Sequence, residues 1–179
     1  TGGASEQMGR IPVAGDFNAD GFSDLVVGAS FANSRRGRAE IYMGSSAGLD
    51  STPDQSLQGT TTSSYVGIGM EVGDFDADGH DDLLLGEYPR NRIQIYAGSP
   101  SGVATSPSTT VSGPGGNSYF GQYNGIGDIN ADGYDDLVSV DYGWGSLKGK
   151  AWLFLGSSAG LSTTSSWSLE GASTSSWLA

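Results

Sequence analysis

Apolar residues along this chain come in short clusters, broken by glycine and by runs of Ser, Thr and Asp. One set is "LVVGAS" from Leu25, "LLLGEY" from Leu83 and "LVSVDY" from Leu137. A second set alternates apolar and polar positions: "RAEIYMGSSAGL" from Arg38, "RIQIYAGSPSGV" from Arg92 and "KAWLFLGSSAGL" from Lys150. Shorter polar runs follow, "QSLQG", "TTVSG" and "WSLEG", and then Ser/Thr/Gly links that end in an aromatic, "TTSSYVG", "GGNSYFG" and "STSSWLA". The clusters are rich in Val, Leu, Ile, Tyr and Phe, and no window sustains a period of 3.6 residues, so the pattern predicts strands. In the first repeat they fall at about Arg10–Gly15, Asp24–Ala29, Arg38–Gly44 and Gln55–Gly59.

The repeat is anchored by three decapeptides: "GDFNADGFSD" from Gly15, "GDFDADGHDD" from Gly73 and "GDINADGYDD" from Gly127. Their spacings of 58 and 54 residues give repeats over approximately 7–64, 65–118 and 119–176, with 177–179 starting another. Four strands per unit of this length predict an all-β chain of β-propeller blades, each a four-stranded antiparallel sheet, within a single domain over 1–179. An antiparallel sandwich with accidental internal similarity is the alternative.

Charge changes the picture at the decapeptides. The chain has 179 residues, a formal net charge of −12 and no cysteine, and twelve of its twenty acidic residues lie in these three segments. Nucleic-acid phosphates would be repelled by such a chain. No run of about eighteen apolar residues is present to cross a membrane as a helix. Like charges packed this closely call for a cation. In the first decapeptide Asp16, Asn18 and Asp20 stand at positions 1, 3 and 5 and Asp24 at position 9, with the Phe22 carbonyl at position 7 and a glycine at position 6 that allows a sharp turn. The second offers Asp74, Asp76, Asp78, the His80 carbonyl and Asp82; the third offers Asp128, Asn130, Asp132, the Tyr134 carbonyl and Asp136. An all-oxygen cage suits Ca²⁺ and lacks the His and Cys that zinc prefers. About three Ca²⁺ per chain are expected; Asp-rich turns without an ion are the alternative. An EF-hand requires Glu at position 12 and a following helix, whereas position 12 here is Val27, Leu85 or Ser139 and a strand follows.

The pattern D-x-[D/N]-x-D-G-x-x-D between two strands resembles the FG-GAP repeat of integrin α-subunit β-propellers and their bacterial relatives. Phe120-Gly121 is a literal Phe-Gly, with Val66-Gly67 and Met8-Gly9 at the matching places; the second glycine of the motif stands at Gly28 and Gly86, and Val140 replaces it in the third repeat. The resemblance implies a propeller with structural calcium loops on the face opposite the ligand. It also implies an extracellular place, secreted or at the cell surface.

Propellers close with about four to eight blades, so three leave a partial ring. Either the chain belongs to a longer propeller, or it closes by self-association, most simply as a homodimer in which Trp177 completes a neighbouring first blade. All basic residues except Arg10 lie in or beside the turns between second and third strands. Arg35, Arg36, Arg90, Arg92 and Lys148, with Tyr88, Tyr142 and Trp144, therefore form a candidate ligand face; ordinary solubilising loop residues are the alternative. His80 is the sole histidine, so a Ser-His-Asp relay has no base outside a metal loop, and the paired Asp residues recur as ligands. The expected function is non-enzymatic: a calcium-stabilised binding or adhesion module for a protein or carbohydrate. The alternatives are a non-catalytic scaffold module of a larger secreted hydrolase, or a propeller lectin.

Overall fold

The computed structural model describes residues 6–113 and 119–173. Trp177 lies outside the described residues. Among the described residues, twelve strands form three separate four-stranded antiparallel sheets, each a simple meander. The first blade is β1 (Met8–Gly15), β2 (Asp24–Ala29), β3 (Arg38–Tyr42) and β4 (Gln55–Gln58). The second is β5 (Gly69–Gly73), β6 (Asp82–Glu87), β7 (Arg92–Tyr96) and β8 (Thr109–Ser112). The third is β9 (Tyr123–Gly127), β10 (Asp136–Asp141), β11 (Lys150–Phe154) and β12 (Trp167–Glu170). The opening strands β1, β5 and β9 run side by side. These are propeller blades, as the repeat pattern predicts. Strand β3 stops short of Gly44 because the next two amides turn away from the ladder: Met43 N–H donates to Asp54 Oδ2 at 2.8 Å and Gly44 N–H to Asp24 Oδ1 at 2.7 Å.

A single sheet has no interior, so the core lies between blades. Phe17, Val26, Ala39, Ile41 and Leu57 of the first blade bury against Met70, Leu83, Leu85, Tyr96 and Val103 of the second. One junction on, Phe75, Leu84, Ile93, Ile95 and Val111 meet Phe120, Leu137, Trp152, Phe154 and Leu161. Strand β6 is buried at every position. Leu83 and Leu85 face the first blade and Leu84 the third, which is why "LLL" shows no polar alternation. The end blades show the converse. Ile129 occupies the place of Phe17 and Phe75, yet it is 57% exposed while both phenylalanines are fully buried. Leu49 occupies the place of Val103 and Leu161 and is 46% exposed. The repeat buries its apolar positions only where a neighbouring blade covers them.

Candidate metal centres

The three acidic turns join the first and second strands of their blades and share one backbone. Ala19, Ala77 and Ala131 take φ of 54°, 56° and 61°, and Gly21, Gly79 and Gly133 take φ of 87°, 88° and 91°. A left-handed alanine costs roughly 1–2 kcal/mol, and the side-chain oxygens hold it there. Asp16 accepts from Asp20 N–H at 3.1 Å and from Gly21 N–H at 2.9 Å, Asn18 Oδ1 accepts from Asp20 N–H at 3.2 Å, and Asp20 Oδ1 accepts from Phe22 N–H at 2.9 Å. In the second turn Asp74 accepts from Asp78 and Gly79 at 3.2 and 2.9 Å, Asp76 from Asp78 at 3.2 Å and Asp78 from His80 at 2.9 Å. The third repeats this with Asp128, Asn130, Asp132 and the amides of Asp132, Gly133 and Tyr134. In the first and third turns Asn18 and Asn130 Nδ2 also donate to Asp20 and Asp132 Oδ2, each at 2.9 Å. In the second turn, ligand oxygens of Asp74, Asp76 and Asp78 all lie within 4.8 Å of one another. That oxygen set fits a hard divalent cation.

Position 9 is placed differently. Asp24 is buried and binds two backbone amides, Phe17 N–H at 3.0 Å and Gly44 N–H at 2.7 Å. Asp136 does the same with Ile129 and Gly156, at 3.0 and 2.9 Å, and Asp82 binds Gly98 N–H at 2.9 Å. This carboxylate therefore ties the acidic turn to the turn between third and fourth strands. Burial pushes the Asp82 carboxyl up to about 7, the Asp76 and Asp74 charges add to that, and the Gly98 and Phe75 amides oppose it. Burial also raises Asp24, and burial with the Asp78 charge raises Asp76. A bound cation would relieve all three. The half-buried His80 ring leans on Asp78, with Nδ1 at 3.1 Å from Oδ1.

The opposite ends of the strands carry the turns between second and third strands and the links between blades. An aromatic row crosses them. Phe31 meets Tyr65 edge-on at 5.4 Å, and Tyr65 meets Tyr88 at 5.7 Å. Tyr88 then stacks on Tyr119 at 5.9 Å, and Tyr119 on Tyr142 at 4.1 Å. Tyr88 and Tyr142 are legible in the sequence as turn residues. The row itself needs the link residues Tyr65 and Tyr119, whose signal was their recurrence before each Val-Gly or Phe-Gly. The cations divide. Arg35, Arg36 and Arg90 are exposed. Arg92 is paired with the fully buried Glu87, and Lys148 lies 3.2 Å from Glu170. Trp144 packs edge-on to Trp152 at 5.5 Å, with the Lys150 ammonium 5.1 Å from the Trp144 ring.

Sheets stacked face to face, each with the same acidic turn at the same corner, define a β-propeller segment built from Asp-loop blades. A family model for the FG-GAP-like repeat matches residues 16–85 and 74–139. The chain belongs to the FG-GAP-like repeat family. Integrin alpha-5 of Xenopus laevis is 35% identical over 117 residues, which is 60% of this chain and 11% of that protein. Integrin alpha-8 of Mus musculus is 32% identical over 165 residues, 79% of this chain and 15% of that protein. Integrin alpha-8 of Homo sapiens is 37% identical over 106 residues. The chain thus spans 10–15% of the length of these relatives. Among the described residues no helix is long and apolar enough to cross a membrane.

Proposed function

We propose that this chain is a calcium-stabilised extracellular adhesion module. It binds about three Ca²⁺ through its acidic turns and a protein or carbohydrate ligand through the opposite face. The single observation that supports the reading best is the division of chemistry between the two ends of the blades. Converging oxygens of Asp74, Asp76 and Asp78 repeat as near copies in the other two turns at one end. A row of stacked aromatics with exposed arginines occupies the other. The integrin relatives support adhesion as the task. The ligand set is Asp16, Asn18, Asp20, Asp24 and the Phe22 carbonyl in the first loop, with the matching residues in the other two.

Charge reversal tests the ligand face. Arg36 and Arg90 are exposed, so Arg36→Glu and Arg90→Glu should move stability by less than about 0.5 kcal/mol. In a solid-phase assay against extracellular-matrix proteins and a glycan array, binding by the wild-type chain in calcium should fall several-fold in the double variant. Unchanged binding to every wild-type target would remove this face from the reading.

The same reading has the ring completed by association, most simply with a second copy. Ile129 and Leu49, exposed at positions buried in the inner junctions, support it. Val140 stands where Gly28 and Gly86 admit a neighbouring backbone, so the added junction must seat differently from the two internal ones. Light scattering in calcium should give twice the chain mass at high protein concentration; a monomer there would rule out the second copy.

A further inference from the structure

The acidic turns are not confined to their own blades. Asp16 N–H donates to Asp81 Oδ2 at 2.7 Å, and Asp81 N–H donates back to the Asp16 carbonyl at 3.1 Å. One blade on, Asp74 N–H donates to Asp135 Oδ2 at 3.0 Å, and Asp135 N–H to the Asp74 carbonyl at 3.1 Å. A second strut runs beside each clamp: Ser99 N–H reaches the Phe17 carbonyl at 3.0 Å, and Ser157 N–H the Phe75 carbonyl at 3.1 Å. The first two residues of each of these turns are thus gripped by the following blade. The preceding glycine makes room for the grip. A Cβ on Gly15 would lie 2.6 Å from Asp81 Oδ2, and one on Gly73 would lie 2.8 Å from Asp135 Oδ2. At Gly127 nothing lies within 4 Å, and among the described residues no such clamp reaches Asp128. The residue of the first blade that matches Asp81 and Asp135 is the exposed Ser23.

We propose that Asp81 and Asp135 are positioning residues for calcium in the preceding blade, so that the first loop is completed by the second blade and the second loop by the third. The inference rests on the calcium reading above. Position 1 depends on its backbone, because both oxygens of Asp16 also hold the Asp20 and Gly21 amides. A carboxylate on the Asp16 N–H fixes the peptide from which that side chain springs, and charge-assisted bonds of this kind are the strong ones. The added negative charge also favours a cation nearby. Metal binding and blade docking are then one linked equilibrium: an ion in the first loop tightens the junction to the second blade, and a docked second blade tightens the ion.

The test is a calcium titration of the whole chain followed by amide NMR, with Gly21, Gly79 and Gly133 reporting the three loops separately. Asp81→Ala should raise the calcium midpoint at Gly21 about tenfold, the order expected for one hydrogen bond to a charged group. The Gly79 and Gly133 midpoints should stay within about twofold. Asp135→Ala should move Gly79 and leave Gly21 in place. Asp81→Asn, which keeps an acceptor oxygen but loses the charge, should recover only part of the loss, and Ser23→Ala should move none of the three. If Asp81→Ala does not fold, Asp135→Ala decides the matter by the same comparison at Gly79. An unmoved reporter in the preceding loop, or equal movement of all three, overturns the coupling alone. A wild-type chain whose three reporters ignore calcium refutes the metal reading and the coupling with it.

Discussion

Excess EDTA is expected to lower the melting temperature by on the order of 10–30 °C relative to about 10 mM calcium. The size follows from linkage. With dissociation constants of about 10⁻⁴–10⁻³ M, the range of extracellular modules, each site contributes roughly 1.4–2.7 kcal/mol at that concentration. Three sites together reach about 4–8 kcal/mol, and a domain of this size moves about 2–4 °C per kcal/mol. The second loop has four carboxylates where the others have three and an Asn, so Asp78→Ala should remove more of the calcium effect than Asp20→Ala or Asp132→Ala. An unchanged melting curve in EDTA, with no metal by elemental analysis, would sink the calcium reading.

The pH dependence should reverse with the metal. The folded-state carboxyl of Asp82 is pushed up to about 7 from 3.8. Between those values the calcium-free fold holds a proton that the unfolded chain has lost, so stability is lost as pH rises from about 4 to about 7. Asp24 and Asp76 shift in the same direction. With calcium present the proton competes with the ion, and stability should rise over the same window. Melting at pH 5 and pH 8 with and without EDTA checks both signs. A calcium-free melting temperature that climbs with pH would contradict the Asp82 argument.

Gly86→Ala is expected to cost more than about 4 kcal/mol, an exceptional loss for one methyl group. Neither Gly86 nor Gly28 has a positive φ, so the requirement is purely steric. A Cβ at Gly86 would lie 2.7 Å from the Gly121 carbonyl carbon and nearer still to its oxygen. At Gly28 a Cβ would lie 2.7 Å from the Gly67 Cα. The obstacle in each case is backbone, which cannot rotate aside as a side chain can. Relief would require separating β6 from the link that enters the third blade, and with it the packing of Leu84, Ile93 and Val111 on Phe120. Gly125→Ala is the control, since nothing stands within 4 Å of it; it should cost less than about 1 kcal/mol. Urea unfolding in calcium measures both, and a loss below about 1 kcal/mol in Gly86→Ala would overturn the close-approach argument.

Much of this chain was readable one residue after another. The strand segments follow from short apolar clusters, and the blades from the spacing of Gly15, Gly73 and Gly127. The fold of the first acidic turn was also legible, because it is made by bonds across five residues or fewer. Geometry of that range is carried by the local residue types: a left-handed glycine, and Asp and Asn side chains that accept from nearby amides.

Contacts between repeats were not legible. The doublets Asp81-Asp82 and Asp135-Asp136 look alike along the chain, yet the structure gives their members different tasks. The first clamps the preceding blade, 65 or 61 residues away, and the second ties turns within its own blade. The seven cations that cluster near the turns look equivalent in sequence, but buried Glu87 takes Arg92 and Glu170 takes Lys148, while Arg35 and Arg36 stay exposed. Phe17 and Phe75 are fully buried and Ile129 is exposed, although all three hold the same place in the repeat. A periodic sequence specifies what each blade offers at its surface. Which of those surfaces is desolvated, and which charge meets its counterpart, is decided only when one blade packs on the next, because burial and pairing belong to the contact and not to either strand alone.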